Sequence, residues 1–273
     1  MKHHSFMKKL QHAWQTNNSL VCVGLDPDLS KLPKCLSNSP HPIFEFNKAL
    51  IDATADLVCC YKPQCAYYSG QDAEDELKMT MQYLKENYPD IPVILDAKRG
   101  DIGPTAELYA KEAFKIYNAD AVTVNPYMGL DTLKPFMDWS DRGTVILCRT
   151  SNPSSKEIQE LQCNGKPVYE HVARLAQDKW NYNNNVLLVI GATFPAELKH
   201  VRAICPKIPF LVPGVGAQGG DVELVIRHGK DHAGAGLIIN SSRGIIYASD
   251  SADFDNAARR ATLELRDLIN QFR

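Results

Sequence analysis

A single-domain (β/α)8 barrel, the TIM barrel, is the fold this sequence predicts, and three observations predict it. Eight short runs rich in Val, Ile and Leu recur along the 273 residues, each followed by a stretch of helical character. The runs are nearly continuous in apolar residues rather than alternating, as expected of parallel strands buried on both faces. Polar residues collect at the C-terminal ends of these runs, the end at which barrels build their sites.

The N-terminal MKHHSFMKKLQHAWQ has Lys and His but no apolar signal core, so it reads as a short amphipathic helix before the first strand. The first run, SLVCVGLDP (19–27), ends in Asp26. Ile43, Phe46 and Leu50, at i, i+3 and i+7, then mark one helix face. LVCCYKPQ (57–64) brings Lys62, and PVILDAKRG (92–100) brings Asp96, Lys98 and Arg99, with Asp101 just beyond. Alternation along that third strand would point Asp96 and Lys98 one way and Ala97 the other. AVTVNPY (121–127) closes on Asn125, and GTVILCRT (143–150) leads into Ser151. The polar stretch 151–166, SNPSSKEIQELQCNGK, exceeds a minimal connection and has the character of a lid. NVLLVIGAT (185–193), PFLVPGVGA (209–217) and AGLIINSSRG (235–244) complete the eight, with amphipathic segments over 221–227 and 254–272. No linker or low-complexity segment interrupts residues 1–273, which predicts one domain. The rival fold is an open doubly wound sheet, which often carries GxGxxG after its first strand; here that strand ends in GLDPD.

Composition narrows the function classes. Hydrophobic residues make up 44% and charged residues 23%, ordinary for a soluble globular chain. A net charge of -2 with no long basic run gives no nucleic-acid footprint. No run approaches the about 20 apolar residues of a membrane span. The 8 cysteines lack any CxxC spacing, and several sit in apolar runs, so they read as buried, reduced thiols of a cytoplasmic protein. The 8 histidines fall in predicted helices or loops away from the strand ends, so no metal centre is expected.

The seventh and eighth runs carry a phosphate-binding pattern. PGVGAQGGD (213–221) lets backbone N–H groups approach an anion before a helix N-terminus. SSRG adds two hydroxyls and Arg243, whose guanidinium grips phosphate through paired hydrogen bonds. Together with VGLDPD, YKPQ, LDAKRGDIG, NPYMGLD, LCRTSNPSS and NSSRGIIY, spread from Leu20 to Tyr247, these pieces resemble the orotidine 5′-phosphate decarboxylase family in its longer bacterial subfamily. The DxKxxD element alone is shared with relatives of other chemistry; the extended LDAKRGDIG with NPYMG and RTSNP is the specific part.

The resemblance implies a catalytic array of Lys62, Asp96, Lys98 and Asp101, the last reaching across a homodimer interface together with Ile102 and Thr105. It places Asp26 on the ribose, Ser151 on the pyrimidine, Pro213 among the substrate-binding residues, and Gln218, Ser242 and Arg243 on the phosphate. Pro104, within DIGPT, departs from the small polar residue expected there, a change that a first-turn proline tolerates. The implied reaction converts orotidine 5′-monophosphate to uridine 5′-monophosphate in de novo pyrimidine biosynthesis, with no cofactor and no metal. Loss of CO2 leaves an electron pair at C6 in an orbital the ring cannot delocalise, so a fixed ammonium, Lys98, would have to neutralise it and deliver the proton. Two rivals remain at this level: a sugar-phosphate enzyme holding Mg2+ through the DxKxxD carboxylates, and a non-catalytic nucleotide binder.

Overall fold

The computed structural model describes residues 5–215 and 221–273. All eight apolar runs form strands: β1 (Val21–Leu25), β2 (Cys60–Pro63), β3 (Ile94–Arg99), β4 (Ala121–Val124), β5 (Gly143–Arg149), β6 (Val186–Ile190), β7 (Phe210–Pro213) and β8 (Leu237–Ser241). They pair in parallel in the order β2-β1-β8-β7-β6-β5-β4-β3. Bridges Tyr61↔Val93 and Gln64↔Asp96 then join β2 to β3 and close the ring. Full burial of β1, β2, β4 and β6 explains why their sequences do not alternate: barrel interior and helix layer both demand apolar side chains.

The helices bearing on the site or its support are α1 (Phe6–Thr16), α2 (Pro42–Thr54), α3 (Glu74–Asn87), α4 (Gly103–Lys111), α5 (Leu130–Met137), α6 (Val168–Leu175), α7 (Pro195–Ile204), α8 (Val222–Gly229) and α9 (Phe254–Phe272). The face foreseen from Ile43, Phe46 and Leu50 is buried on α2. α1 buries Phe6, Leu10, Ala13 and Trp14 against the end of the barrel where strands begin. There Trp14 Nε1 donates to the Leu237 carbonyl at 3.0 Å, and Lys9 Nζ donates to Asp120 at 2.9 Å. Asp120 also accepts from Lys85 Nζ at 3.1 Å and from the Val93 N–H at 3.0 Å, so no charge is buried there without a partner. This end is a sealed floor.

One expectation gains detail and one needs correction. The polar stretch 151–166, expected to have the character of a lid, is ordered into short helical turns at Pro153–Ser155 and Lys156–Gln159 and a two-stranded hairpin pairing Gln162↔Pro167 and Cys163↔Lys166. The cysteines are free thiols, yet not all are buried, since Cys35 and Cys163 are exposed and Cys65 is only partly covered.

Candidate active site

At the opposite end, strand termini converge. Lys62, on β2, is buried and donates from Nζ to Asp96 Oδ2 at 2.9 Å, with Asp26 Oδ1 at 3.9 Å. The other Asp96 oxygen, Oδ1, accepts from Lys98 Nζ at 2.7 Å. One carboxylate therefore bridges two ammonium groups. Burial opposes ionisation of Asp96, but attraction to Lys62 and Lys98 outweighs it and holds the carboxyl well below the usual carboxylate range. Burial likewise disfavours charge on Lys62, and Asp96 and Asp26 overcome it, holding Lys62 above the ordinary lysine value. Both groups are thus ionised throughout the neutral range.

Asp96 and Lys98 meet, though not by simple alternation. Lys98 has a left-handed backbone with φ of 46°, a conformation that costs a non-glycine residue roughly 1–2 kcal/mol. Ladder pairing jumps from Leu95↔Val122 to Arg99↔Val124, so β3 bulges at the charged residues. Arg99 then leaves toward α4: its guanidinium makes paired bonds to Glu112 at 3.0 and 2.9 Å and stacks over Tyr109 at 4.6 Å. Arg99 thereby ties the bulge to the outer layer. Asn125 serves the backbone, its Oδ1 accepting the Tyr127 N–H at 3.0 Å.

Beside the array opens a cavity of about 390 Å3, lined among others by Asp26, Lys62, Asp96, Pro213, Ser242 and Arg243. Asp26 Oδ1 is buried there and, apart from the Lys62 ammonium at 3.9 Å, meets no hydrogen-bond donor among the described residues, so a ligand hydroxyl would satisfy it. The Tyr247 hydroxyl accepts the Asp28 N–H at 2.7 Å and lies 3.3 Å from the Asp26 carbonyl, fixing the turn that carries Asp26. Lys98 stands half-exposed at the rim, its side chain retaining 47% of its accessible surface. Gln218 lies outside the described residues. Asp101, Ile102 and Thr105 do not join the array within the chain. The Asp101 carboxylate accepts the Ile102 N–H at 2.8 Å, and Ile102 and Thr105 are exposed.

The model of the "Orotidine 5'-phosphate decarboxylase / HUMPS family" matches residues 19–259. The chain belongs to this family. Among curated proteins, orotidine 5′-phosphate decarboxylase of Ralstonia pickettii (strain 12J) is 56% identical over 268 residues, covering 98% of this chain and 99% of the relative. The decarboxylase of Cellvibrio japonicus (strain Ueda107) is also 56% identical, with 97% and 98% covered. Among solved structures, that of Leishmania donovani OMP decarboxylase superposes with a TM-score of 0.85 at 39% identity, covering 98% of each chain. The family resemblance read from the motifs and the barrel fold are both borne out.

Within this decarboxylase-family barrel, two buried polar residues escaped the sequence reading. Thr123, on β4, bonds Asp96 and the β3 backbone. Arg149, at the end of β5, is fully buried, with its guanidinium 3.7 Å from the centre of the Phe194 ring. It donates to Ser155, Gln159 and Glu160, and Gln159 in turn accepts the Thr150 N–H at 2.8 Å. Ser151 leaves the barrel between these anchors and packs against Gly191, where an added Cβ would lie 2.9 Å from its backbone nitrogen. The available signal was an arginine at the end of an apolar strand, immediately before a polar loop.

Proposed function

We propose that this chain decarboxylates orotidine 5′-monophosphate to uridine 5′-monophosphate in cytoplasmic pyrimidine biosynthesis. The observation that carries the reading is the Lys62–Asp96–Lys98 array standing beside a cavity that Ser242 and Arg243 help to line. A nucleotide with its phosphate on Arg243, Ser242 and Gln218 would bring its ribose to the buried Oδ1 of Asp26 and to Lys62. Its base would then face Lys98 and Asp96, with Ser151 on the pyrimidine. The C6–carboxylate bond breaks, CO2 departs, and the electron pair stays on C6. The Lys98 ammonium offsets that charge and transfers a proton to C6, regaining one from solvent. Asp96, fixed as an anion, holds Lys98 in place and would lie close to the departing carboxylate. Asp101, Ile102 and Thr105 would complete the site of a partner copy, which is consistent with their turning away from their own array. Free cysteines fit a reducing compartment.

Loss of the orotate absorbance on mixing chain and substrate tests the reaction, and persistence of activity in EDTA separates it from Mg2+-dependent chemistry on the same barrel. Lys98→Ala is expected to lower turnover by at least about a thousandfold while uridine 5′-monophosphate still binds. Appreciable turnover in that variant would remove Lys98 as the proton donor.

A further inference from the structure

Thr123 is 1% exposed and is not among the cavity-lining residues, yet its hydroxyl touches the charged array at three points. It accepts the N–H of Ala97 at 3.0 Å and that of Lys98 at 2.9 Å, and it donates to Asp96 Oδ1 at 2.8 Å. In a regular strand successive N–H groups point to opposite sides and could not share one acceptor. They do so here because Lys98 adopts φ of 46° and because Asp96, Ala97 and Lys98 together span the one ladder position occupied by Thr123. The side chain of β4 thus supplies the acceptor for N–H groups that the bulge takes out of the backbone ladder.

We propose that Thr123 is a positioning residue, whose hydroxyl holds the β3 bulge and so sets the Lys98 ammonium against Asp96 in the geometry the reaction needs. The inference rests on the decarboxylation proposed above. Without the hydroxyl, two N–H groups and a carboxylate oxygen lose a partner in a largely buried place. The bulge then has a reason to relax toward regular pairing, which would rotate Lys98 out of the left-handed conformation and away from the reacting carbon. The strain at Lys98 persists only while its surroundings enforce it. Thr123 touches no substrate; it acts through its two neighbours.

Thr123→Val keeps the shape and deletes the hydroxyl, whereas Thr123→Ser keeps the hydroxyl. Thr123→Val is expected to lose kcat on the order of a hundredfold, as a misplaced reacting group does. KM and the affinity for uridine 5′-monophosphate should change far less, and Thr123→Ser should recover most of the lost kcat. A merely structural threonine would lower melting temperature and the folded fraction without a selective loss of kcat per folded chain. A Val variant with wild-type kcat, or a Ser variant no better than Val, would overturn the proposal. Should Thr123→Val fail to fold, Thr123→Cys, with its weaker donor and acceptor, should give an intermediate kcat; a wild-type value there would count against the idea. Wild-type turnover tests the reaction separately. A crystal structure of Thr123→Val tests the positioning without any turnover: Lys98 is expected to leave positive φ, and an unchanged bulge with the 2.7 Å Lys98–Asp96 contact intact would refute it.

Discussion

Gly24 illustrates how one residue's lack of a side chain shapes the site. On β1 it runs beside the eighth strand's exit, and a Cβ there would fall 1.9 Å from Ser242 Oγ and 2.9 Å from Ser242 Cβ. Ser242 occupies the space that any other residue at position 24 would fill. Gly24→Ala should therefore push Ser242 aside and, on the proposed reading, remove its hydrogen bond to the substrate phosphate, a charged acceptor, worth about 1.5–3 kcal/mol. The expected outcome is an affinity for uridine 5′-monophosphate lowered about tenfold or more, while that for uridine, which has no phosphate, barely changes. Titration calorimetry with the two ligands checks this; equal losses for both would mean that Ser242 does not serve the phosphate. The glycine was visible in VGLDPD, but its reason was not, because the neighbour it accommodates lies more than two hundred positions away.

At the scale of elements, the connection after β5 is organised by the arginine beneath it. The polar composition of 151–166 suggests a free lid, and its two large apolar residues, Ile158 and Leu161, are both exposed rather than buried as anchors. The anchor is Arg149, which precedes the segment and reaches back into it through Ser155, Gln159 and Glu160. Replacing it by Met would keep most of the volume and leave Glu160 and the two polar side chains without their donor. Glu160 keeps 39% of its side-chain surface, so the cost is that of lost charge-assisted hydrogen bonds, about 1.5–3 kcal/mol, rather than that of a stranded buried charge. Arg149→Met is expected to lower the melting temperature and to open the segment to protease between 151 and 166, with kcat/KM falling as Ser151 loses its support. Mass-spectrometric mapping of early cleavage sites decides it: an unchanged cleavage pattern would show that the segment holds itself together.

For the whole molecule, the two ends of the barrel divide the work. The floor under α1 is closed by apolar packing and by the shared charge of Asp120, and it contributes stability. The open end carries the charged array and, beside it, an apolar surface that a lone barrel leaves to water. Ile102 is 60% exposed, Tyr127 85% and Met128 43%, all on connections flanking β3 and β4. In the shared site proposed above, a second copy seated there would cover these residues and bring Asp101 to the neighbouring array. Inactive Lys98→Ala and Asp101→Ala chains, mixed and allowed to exchange subunits, are then expected to regain about a quarter of wild-type activity. Half the dimers would be mixed, each with one intact site of two. No recovery after subunit exchange, verified by native mass spectrometry, would sink the shared site.

The sequence by itself determined the barrel and which end of it is chemical. Strands buried on both faces need long apolar runs, and charge is tolerable only where those runs stop, so Asp26, Lys62, Asp96 and Lys98 were all legible as strand-end residues. The tertiary structure alone decided how Asp96 and Lys98 come together. Alternation presumes a regular strand, whereas β3 bulges around a left-handed Lys98 held by a hydroxyl from the next strand. Thr123 reads in sequence as one more β-branched strand residue, and Arg149 as one more polar terminus. Their roles arise from hydrogen bonds to groups on other elements, and such bonds depend on packing distances that composition and periodicity do not encode.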